Sequence, residues 1–300
     1  MIGAMYENGG NTTHRFLDGH PQMFVYPFES QLGTSLVNDK LSSLFPLKYR
    51  WPAFPLEGTA YQDYKLIVDE ETKVRARTPY VSKFRHIPFR FSDDERCNLY
   101  QKYIAKKGRT RANNVEAFFR GTFDAWKNHK KTGKEKIFVG YSPALVVDAQ
   151  KIFHDFPQAH FLHIVRNPWS AFADTKKRPV PLALKDYLLG WNLNQYFAIY
   201  FSKKYPDRFH LLRFEDILAN PQKVLGRLCL KLGLLASPTL SYPSWNGEAL
   251  QEVYPWGTIR NATVKANRAT ARELSRDEIQ EITLLAQPYL STLNYSRFLK

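Results

Sequence analysis

The chain has 300 residues, 44% of them hydrophobic, which is enough for the buried core of one large domain or two smaller ones. Lys and Arg outnumber Asp and Glu by 43 to 28, and the net charge of +15 predicts attraction to anions such as nucleotides, sulfated or phosphorylated sugars, or nucleic acid. Two isolated cysteines argue against a disulfide framework or a zinc site, and no apolar run reaches the ~20 residues that cross a bilayer, so we expect a cytoplasmic protein.

The N-terminal region predicts a strand, a glycine-containing turn and a helix. A short apolar run covers residues 2–6, and the polar segment 7–13 follows it. A helical pattern then continues to the Gly-His-Pro sequence at residues 19–21.

Helices and strands alternate through the rest of the chain. The capping-box form of residues 92–95 predicts a helix over residues 93–106 that stops near Gly108. A strand at 137–140, a helix at 145–156 and a strand at 161–165 form a βαβ unit, whose crossover favours parallel pairing. The other predicted elements are a helix at 114–131, a helix at 184–205, a strand at 209–213, a helix at 222–232 and a final helix capped by Ser275.

This alternation predicts an α/β fold with an open, mainly parallel sheet flanked by helices on both faces. The sequence contains no repeat, no low-complexity stretch and no convincing linker. We therefore expect a single domain over residues 1–300.

The segment 7–13 has the composition of an anion-binding turn. In an open α/β sheet, ligands bind beyond the carboxyl ends of the strands, where a helix N-terminus offers free N–H groups and a positive dipole. Gly9 and Gly10 let the backbone approach a phosphate closely, and Asn11, Thr12 and Thr13 supply donors. The alternative is an ordinary tight turn with an Asn or Thr cap. The turn lacks the Gly-Lys-Ser/Thr ending of a P-loop kinase, which argues against ATP-driven phosphoryl transfer.

An arginine stands at the end of the strand predicted at 161–165. A guanidinium in that place can bind a phosphate monoester through two hydrogen bonds, and Arg178, about three helical turns after Arg166, can close from the other side. The alternative is that Arg166 pairs with an Asp of the sheet.

Together these segments resemble the sulfotransferase superfamily, nearest to its bacterial members and its tyrosylprotein-sulfotransferase-like branch. The resemblance implies a P-loop-like nucleotide-binding fold without a metal. It also implies transfer of a sulfuryl group from 3′-phosphoadenosine 5′-phosphosulfate (PAPS) to a hydroxyl or amine, with adenosine 3′,5′-bisphosphate (PAP) as product. The match spans nearly the whole chain and is carried by Thr12-Thr13, the Leu-Asp-Gly-His-Pro run at 17–21, residues 153–157, the Val-Arg-Asn-Pro run at 165–168, the Arg-Phe-Glu-Asp run at 213–216 and residues 228–232.

The resemblance also implies a role for each candidate residue. Glu29 is the expected general base, which would take a proton from the acceptor; the alternative is a surface or salt-bridged carboxylate. Arg260, in the basic segment 260–268, is expected to cover the nucleotide. The 5′-phosphosulfate would lie on Asn8, Gly9, Gly10, Asn11, Thr12 and Thr13, and the 3′-phosphate on Arg166 and Arg178 with Asp174 or Thr175.

Several positions depart from the family pattern. Glu7 stands where relatives usually carry Lys or Arg, and Asp174 stands where they carry Ser. Residues 141–143 lack a Lys that is common before the Pro, and Phe214 lacks a hydroxyl. Two positive charges of the family pattern are therefore missing, one at residue 7 and one before Pro143. Their loss matters because one preorganised charge contact contributes several kcal/mol to a transition state. A protonated His14 would restore one charge, and the alternative is a solvated or capping histidine.

Two other classes of function stay open. A diverged relative with the same fold would use another nucleotide or phosphorylated ligand, which Glu7 and Tyr141 favour. A basic nucleic-acid-binding protein would explain the net charge, but the basic residues are dispersed and no recognition-helix or aromatic RNA-binding motif is present, so no nucleic-acid partner is expected. The sequence identifies neither the acceptor nor the oligomeric state.

Overall fold

The structure is a computed structural model that describes residues 1–37, 41, 49–251 and 263–299. In chain order its strands are β1 (Ile2–Ala4), β2 (Met23–Val25), β3 (Ile137–Val139), β4 (Tyr141–Pro143), β5 (Phe161–Val165), β6 (Phe209–Arg213), β7 (Ser244–Trp245) and β8 (Glu248–Ala249). Its helices are α1 (Gly10–Leu17), α2 (Ala60–Leu66), α3 (Glu70–Arg77), α4 (Asp93–Lys107), α5 (Arg111–Ala125), α6 (Ala149–Asp155), α7 (Pro168–Thr175), α8 (Leu184–Lys204), α9 (Phe214–Ala219), α10 (Pro221–Lys231), α11 (Val264–Ala271) and α12 (Arg276–Leu290).

The central sheet has four parallel strands in the order β4-β1-β5-β6. Leu162 and Ile164 of β5 pack with side chains of α1 and α10, whereas Phe161 packs with α5 and α8. Helices therefore cover both faces, which explains why β5 is buried at every residue and, apart from His163, apolar rather than alternating. The predicted fold class, an open and mainly parallel sheet flanked by helices, is confirmed. A single domain over residues 1–300 stays a prediction.

The strand predicted at 137–140 corresponds to β3, which lies outside the central sheet. β3 pairs with β2 in a separate parallel sheet, and only after Gly140 does the chain enter the central sheet as β4. A Cβ at Gly140 would lie 2.5 Å from Oγ of Ser30, so the close approach of these two segments requires glycine. The βαβ unit of the central sheet is therefore formed by β4, α6 and β5 rather than by the strand predicted at 137–140, and β1 lies between β4 and β5.

Helix boundaries follow local capping where the sequence shows it. The side chain of Ser275 accepts a hydrogen bond from the amide of Glu278 while the Glu278 side chain accepts one from the amide of Ser275, a full capping box at the start of α12. The helix predicted to start at residue 145 begins as a 3-10 turn over Leu145–Asp148 before α6. The helix predicted to reach residue 131 ends at Ala125, because Trp126 adopts an extended conformation.

A buried ion-pair network anchors α3 to α4. The guanidinium of Arg96, fully buried, lies 2.7 Å from a carboxylate oxygen of Asp69 and 2.7 Å from one of Asp93. The hydroxyl of Tyr26, just after β2, donates to Asp69 at 2.8 Å. The start of α3 is thereby held beside the segment that follows β2. No helix in the described ranges is both long and apolar enough to span a membrane.

Candidate functional site

The turn between β1 and α1 has an unusual backbone. Gly9 caps the helix in the left-handed region with φ 84°, and its carbonyl accepts hydrogen bonds of 2.9 Å from both the amide and the hydroxyl of Thr13. The amides of Gly10, Asn11 and Thr12 form the first turn of α1 and so lack intrahelical acceptors. They lie at the carboxyl end of a central strand, in the place where open α/β sheets bind anions.

Close packing explains both glycines of the turn. A Cβ at Gly9 would lie 2.3 Å from the ring of Phe214, and a Cβ at Gly10 would lie 2.3 Å from the ring of Tyr141. Phe214 and Tyr141 are two of the positions where the sequence departs from the family pattern. Their rings pack directly against the turn, so Gly9 and Gly10 are required whether or not a ligand binds.

The other polar side chains of the turn anchor it to the protein. Asn8 is fully buried; its Nδ2 donates to the carbonyl of Tyr6 at 2.8 Å and contacts the hydroxyl of Tyr187 at 3.1 Å, while its Oδ1 accepts from the amide of Arg166 at 3.0 Å. Thr12 is buried as well. The groups of the turn that remain suited to an anion are therefore its backbone amides.

Glu29 lies beside this turn. The Nδ2 of Asn11 donates to Oε1 of Glu29 at 2.7 Å, and the Nε2 of Gln31 lies 3.5 Å from Oε2. The amide of Ser30 donates to the carbonyl of Tyr141 at 2.7 Å, which fixes the segment carrying Glu29 against β4. The structure thus brings together the start of α1 and the carboxylate expected to act as base.

Arg166 also reaches the turn, but its charge is already paired. Its Nη1 donates to the carbonyl of Glu7 at 2.9 Å and to Oδ2 of Asp174 at 2.7 Å, and its Nε donates to Oδ1 of Asn267 at 2.6 Å. Arg166 and Asp174 are both buried. The ion pair that was the alternative to phosphate binding is therefore present, with an Asp from α7. The hydroxyl of Thr175 donates back to the carbonyl of Ala171 at 2.9 Å, within α7.

Arg178 is the more accessible of the two arginines. Its Nε lies 3.9 Å from Oε1 of Glu7, and its guanidinium lies 4.8 Å from the centre of the Tyr6 ring. It therefore borders the turn on the side of Glu7, and its role in holding the 3′-phosphate stays a prediction. Arg260 lies outside the described residues.

His14 does not supply the missing positive charge. It is fully buried, and burial followed by the charge of Arg15 lowers the pKa of His14 well below its ordinary value. The imidazole is therefore neutral at pH 7. The expectation of a protonated His14 is wrong, and the side chain is not solvated either, because His14 lies in the second half of α1 and faces the core.

Two residues that support the site gave no signal in the sequence analysis. Asn267, on α11, orients Arg166 as described above, and its Nδ2 donates to Oε1 of Glu215 at 3.0 Å. Tyr295 donates to Oε2 of the same carboxylate at 2.6 Å. The Arg-Phe-Glu-Asp run at 213–216, where β6 ends and α9 begins, thus helps to hold Arg166 in place. A buried Asn in a polar C-terminal segment has no spacing that would identify this role.

The charge of Glu29 affects the pKa values of two tyrosines beside the turn, Tyr141 and Tyr6. Burial, followed by the charges of Glu29 and Glu7, raises the pKa of Tyr141 well above its ordinary value. Burial raises the pKa of Tyr6 as well, with Arg178 opposing and Glu29 adding to the shift. Both phenols remain protonated near neutral pH. No group of three or more metal-ligating side chains occurs in the described part of the chain.

A parallel sheet with a glycine turn and a free helix N-terminus at the carboxyl end of a central strand defines the class of nucleotide-binding α/β proteins. Within that class the chain belongs to the sulfotransferase family. The model of that family, described as "Sulfotransferase family", matches residues 9–238. The resemblance drawn from the sequence motifs is therefore confirmed.

The curated relatives match over a limited region. The omega-hydroxy-beta-dihydromenaquinone-9 sulfotransferases Stf3 of Mycobacterium bovis and Mycobacterium tuberculosis are each 31% identical to this chain over 93 residues, 26% of this chain and 24% of each relative. The match thus spans about a quarter of those relatives.

Among solved structures, the sulfotransferase domain of the Synechococcus PCC 7002 olefin synthase is similar over 95% of this chain and 93% of its own. The TM-score is 0.55 and the sequence identity 17%. At that identity the similarity shows the fold and nothing about the acceptor.

Proposed function

We propose that this protein transfers a sulfuryl group from PAPS to a hydroxyl or amine acceptor. One observation carries the proposal: Asn11, at the start of α1, donates a 2.7 Å hydrogen bond to Glu29. An anion-binding helix terminus and a carboxylate able to take a proton therefore share one site. Membership of the sulfotransferase family supports the same reaction.

The residues present fit the phosphosulfate end of PAPS. The amides of Gly10, Asn11 and Thr12 offer donors and a positive helix dipole to the 5′-phosphosulfate. Arg178, partly exposed beside the turn, would hold the 3′-phosphate together with Arg166. Arg166 brings less net charge to that task, because Asp174 is its partner.

In this mechanism the protein positions two reactants and accepts a proton. Glu29 takes the proton of the acceptor while the acceptor oxygen or nitrogen forms a bond to sulfur. The bond between sulfur and the phosphate oxygen breaks, and its electron pair leaves with PAP. The amides of the turn stabilise the negative charge that this separation places on the leaving group.

The experiment combines binding with turnover. Wild-type protein is expected to bind PAP in a calorimetric titration and to transfer radiolabelled sulfur from PAPS to one or more members of a panel of alcohols, phenols, sugars and amines. Glu29→Gln is expected to keep PAP affinity and lose transfer. A protein that binds neither PAP nor PAPS contradicts the proposal.

A second candidate is a diverged family member that uses a nucleotide without a 3′-phosphate. The contact of 2.7 Å between Arg166 and Asp174 favours it, since a buried carboxylate at this place repels a phosphate. Titration with adenosine 5′-monophosphate distinguishes the two. Binding equal to or tighter than that of PAP supports the second candidate, and clearly weaker binding supports the first.

A further inference from the structure

The proposed reaction places negative charge next to Glu7, the first residue of the turn. An enzyme stabilises such charge with preorganised positive groups. Two arginines near the turn, Arg166 and Arg178, are the ones proposed to hold the 3′-phosphate, so neither is assigned to the sulfuryl group. If the protein has the proposed function, the sulfuryl group therefore requires a third cation.

Lys83 lies a short distance after the 3-10 turn formed by Pro79–Val81. Its Nζ lies 2.7 Å from Oε1 of Glu71, and its side chain remains 47% exposed. The ammonium also lies 5.1 Å from the centre of the Phe84 ring. Lys83 is thus held in one place by a carboxylate and an aromatic face while part of it stays accessible.

Glu71 connects Lys83 to the segment after β2 that carries Glu29. It is the second residue of α3, whose first amide, that of Glu70, donates to Oε1 of Gln31 at 2.9 Å. The other end of the same Gln31 amide group lies 3.5 Å from Oε2 of Glu29. A single buried glutamine therefore joins the start of α3 to the expected base. Oε2 of Glu71 is buried and has no hydrogen-bond partner in the described structure.

The pKa shifts of Lys83 and Glu71 have causes in the same group of carboxylates. Burial lowers the pKa of Lys83, but the carboxylates of Glu71, Glu29 and Glu7 outweigh it, so the pKa is raised overall. Burial raises the pKa of Glu71 to about 7, the charge of Glu29 adds to the increase, and Lys83 opposes it. The ammonium of Lys83 therefore lies in the field of both the turn residue Glu7 and Glu29.

We propose that Lys83, positioned by Glu71, supplies the positive charge that faces the transferred sulfuryl group, in place of a cation at residue 7. Lys83 stays protonated and moves no proton. The sulfuryl group leaves the phosphate oxygen, whose electron pair departs with PAP, and binds the acceptor, whose proton goes to Glu29. The charge of Lys83 stabilises the sulfuryl oxygens throughout this exchange.

The test needs no knowledge of the acceptor. PAPS and PAP carry similar total charge at pH 8, but only PAPS has a sulfuryl group, so the ratio of their dissociation constants isolates contacts to that group. We expect Lys83→Met to weaken PAPS binding about tenfold while PAP binding stays the same. Lys83→Arg is expected to retain most of the preference for PAPS. Glu71→Gln, which releases Lys83 without removing its charge, is expected to reduce the preference by a smaller factor.

Lys107→Met is the matched control. Lys107 is 51% exposed and its Nζ lies 3.0 Å from Glu116, so this variant removes the same charge and a similar ion pair on a different surface. It is expected to leave both dissociation constants unchanged.

Circular dichroism identifies any variant that fails to fold. If Lys83→Met does not fold, the ratio of dissociation constants in Lys83→Arg and Glu71→Gln is compared with that of the wild type instead. An unchanged ratio in Lys83→Met, or equal weakening of both nucleotides, overturns the role of Lys83. Wild-type protein that binds neither nucleotide contradicts the proposed function instead.

Discussion

Asn11 and Glu29 are joined by a 2.7 Å hydrogen bond between the first turn of α1 and the segment that follows β2. The bond holds the carboxylate beside the first turn of α1, whose amides lack intrahelical acceptors. Because Asn11 is neutral, it holds Glu29 without transferring a proton to it. The position of the proposed base therefore depends on a residue of the turn that is proposed to bind the phosphosulfate.

Replacing Asn11 tests this dependence. We expect Asn11→Ala to lower kcat for sulfuryl transfer about tenfold, because a hydrogen bond to a charged group is lost and the base gains freedom. PAP affinity, which depends on backbone amides, should change little. Steady-state kinetics and calorimetry make the measurement, with Asn192→Ala as control, since Asn192 donates to the carbonyl of Leu285 on another helix. Loss of PAP binding with kcat intact would show that Asn11 serves the nucleotide rather than Glu29.

Gly9 has no room for a side chain. Gly9→Ala places a Cβ 2.3 Å from the Phe214 ring at a residue with φ 84°, so we expect the free energy of unfolding to fall by about 3 kcal/mol or more. Gly233→Ala, just after α10, is the control: its φ is 69° and a Cβ there would meet nothing within 4 Å, so only the backbone cost of about 1 kcal/mol should appear. Urea denaturation measures both. Equal losses would mean that packing against Phe214 contributes nothing.

Asp174 limits the charge that Arg166 offers to a phosphate. Asp174→Ser removes the buried carboxylate 2.7 Å from Nη1 of Arg166, so we expect PAP affinity to rise about tenfold. Affinity for adenosine 5′-monophosphate, which lacks the 3′-phosphate, should stay the same and serves as the internal control. A drop in PAP affinity would show instead that Asp174 is needed to orient Arg166.

Acid should weaken the fold through His163 in β5. Burial lowers the pKa of His163 from 6.5 to about 4, with the hydrogen bond to Gln195 opposing the shift. The unfolded chain therefore takes up the proton first, and the stability from the neutral imidazole is lost as the pH falls from about 6.5 to about 4. The loss amounts to about 3 kcal/mol.

His163→Gln should flatten this part of the stability curve, measured by thermal melts between pH 7 and pH 4. His86→Gln, at an exposed histidine, is the control and should follow the wild type. A pH dependence that persists unchanged in His163→Gln would assign it to other groups.

Much of the fold follows from local pattern. The strands β5 and β6 lie where runs of mostly apolar residues place them; β5, inside the sheet, is buried at every residue and is apolar apart from His163. The separation of β3 from β4 was not predicted. It depends on the contact of Gly140 with Ser30, a tertiary approach that no spacing in the sequence encodes.

The candidate site shows the same division. The glycine turn and Arg166 were predicted from residue types at the ends of strands, Glu29 was predicted from the family resemblance, and the structure brings the three together. The neutral state of His14 depends on which side of α1 faces the core, which an eight-residue helix does not reveal. The contacts of Asn267 and Lys83 arise where separate parts of the chain meet, so their roles appear only in three dimensions.

The most direct test of the proposed function is a calorimetric titration of the purified wild-type protein with PAP, repeated with Glu29→Gln. We predict saturable binding at a single site in both proteins, with sulfuryl transfer from PAPS present in the wild type and absent in the variant. No binding of PAP by the wild type, at concentrations that saturate a nucleotide site, would contradict it.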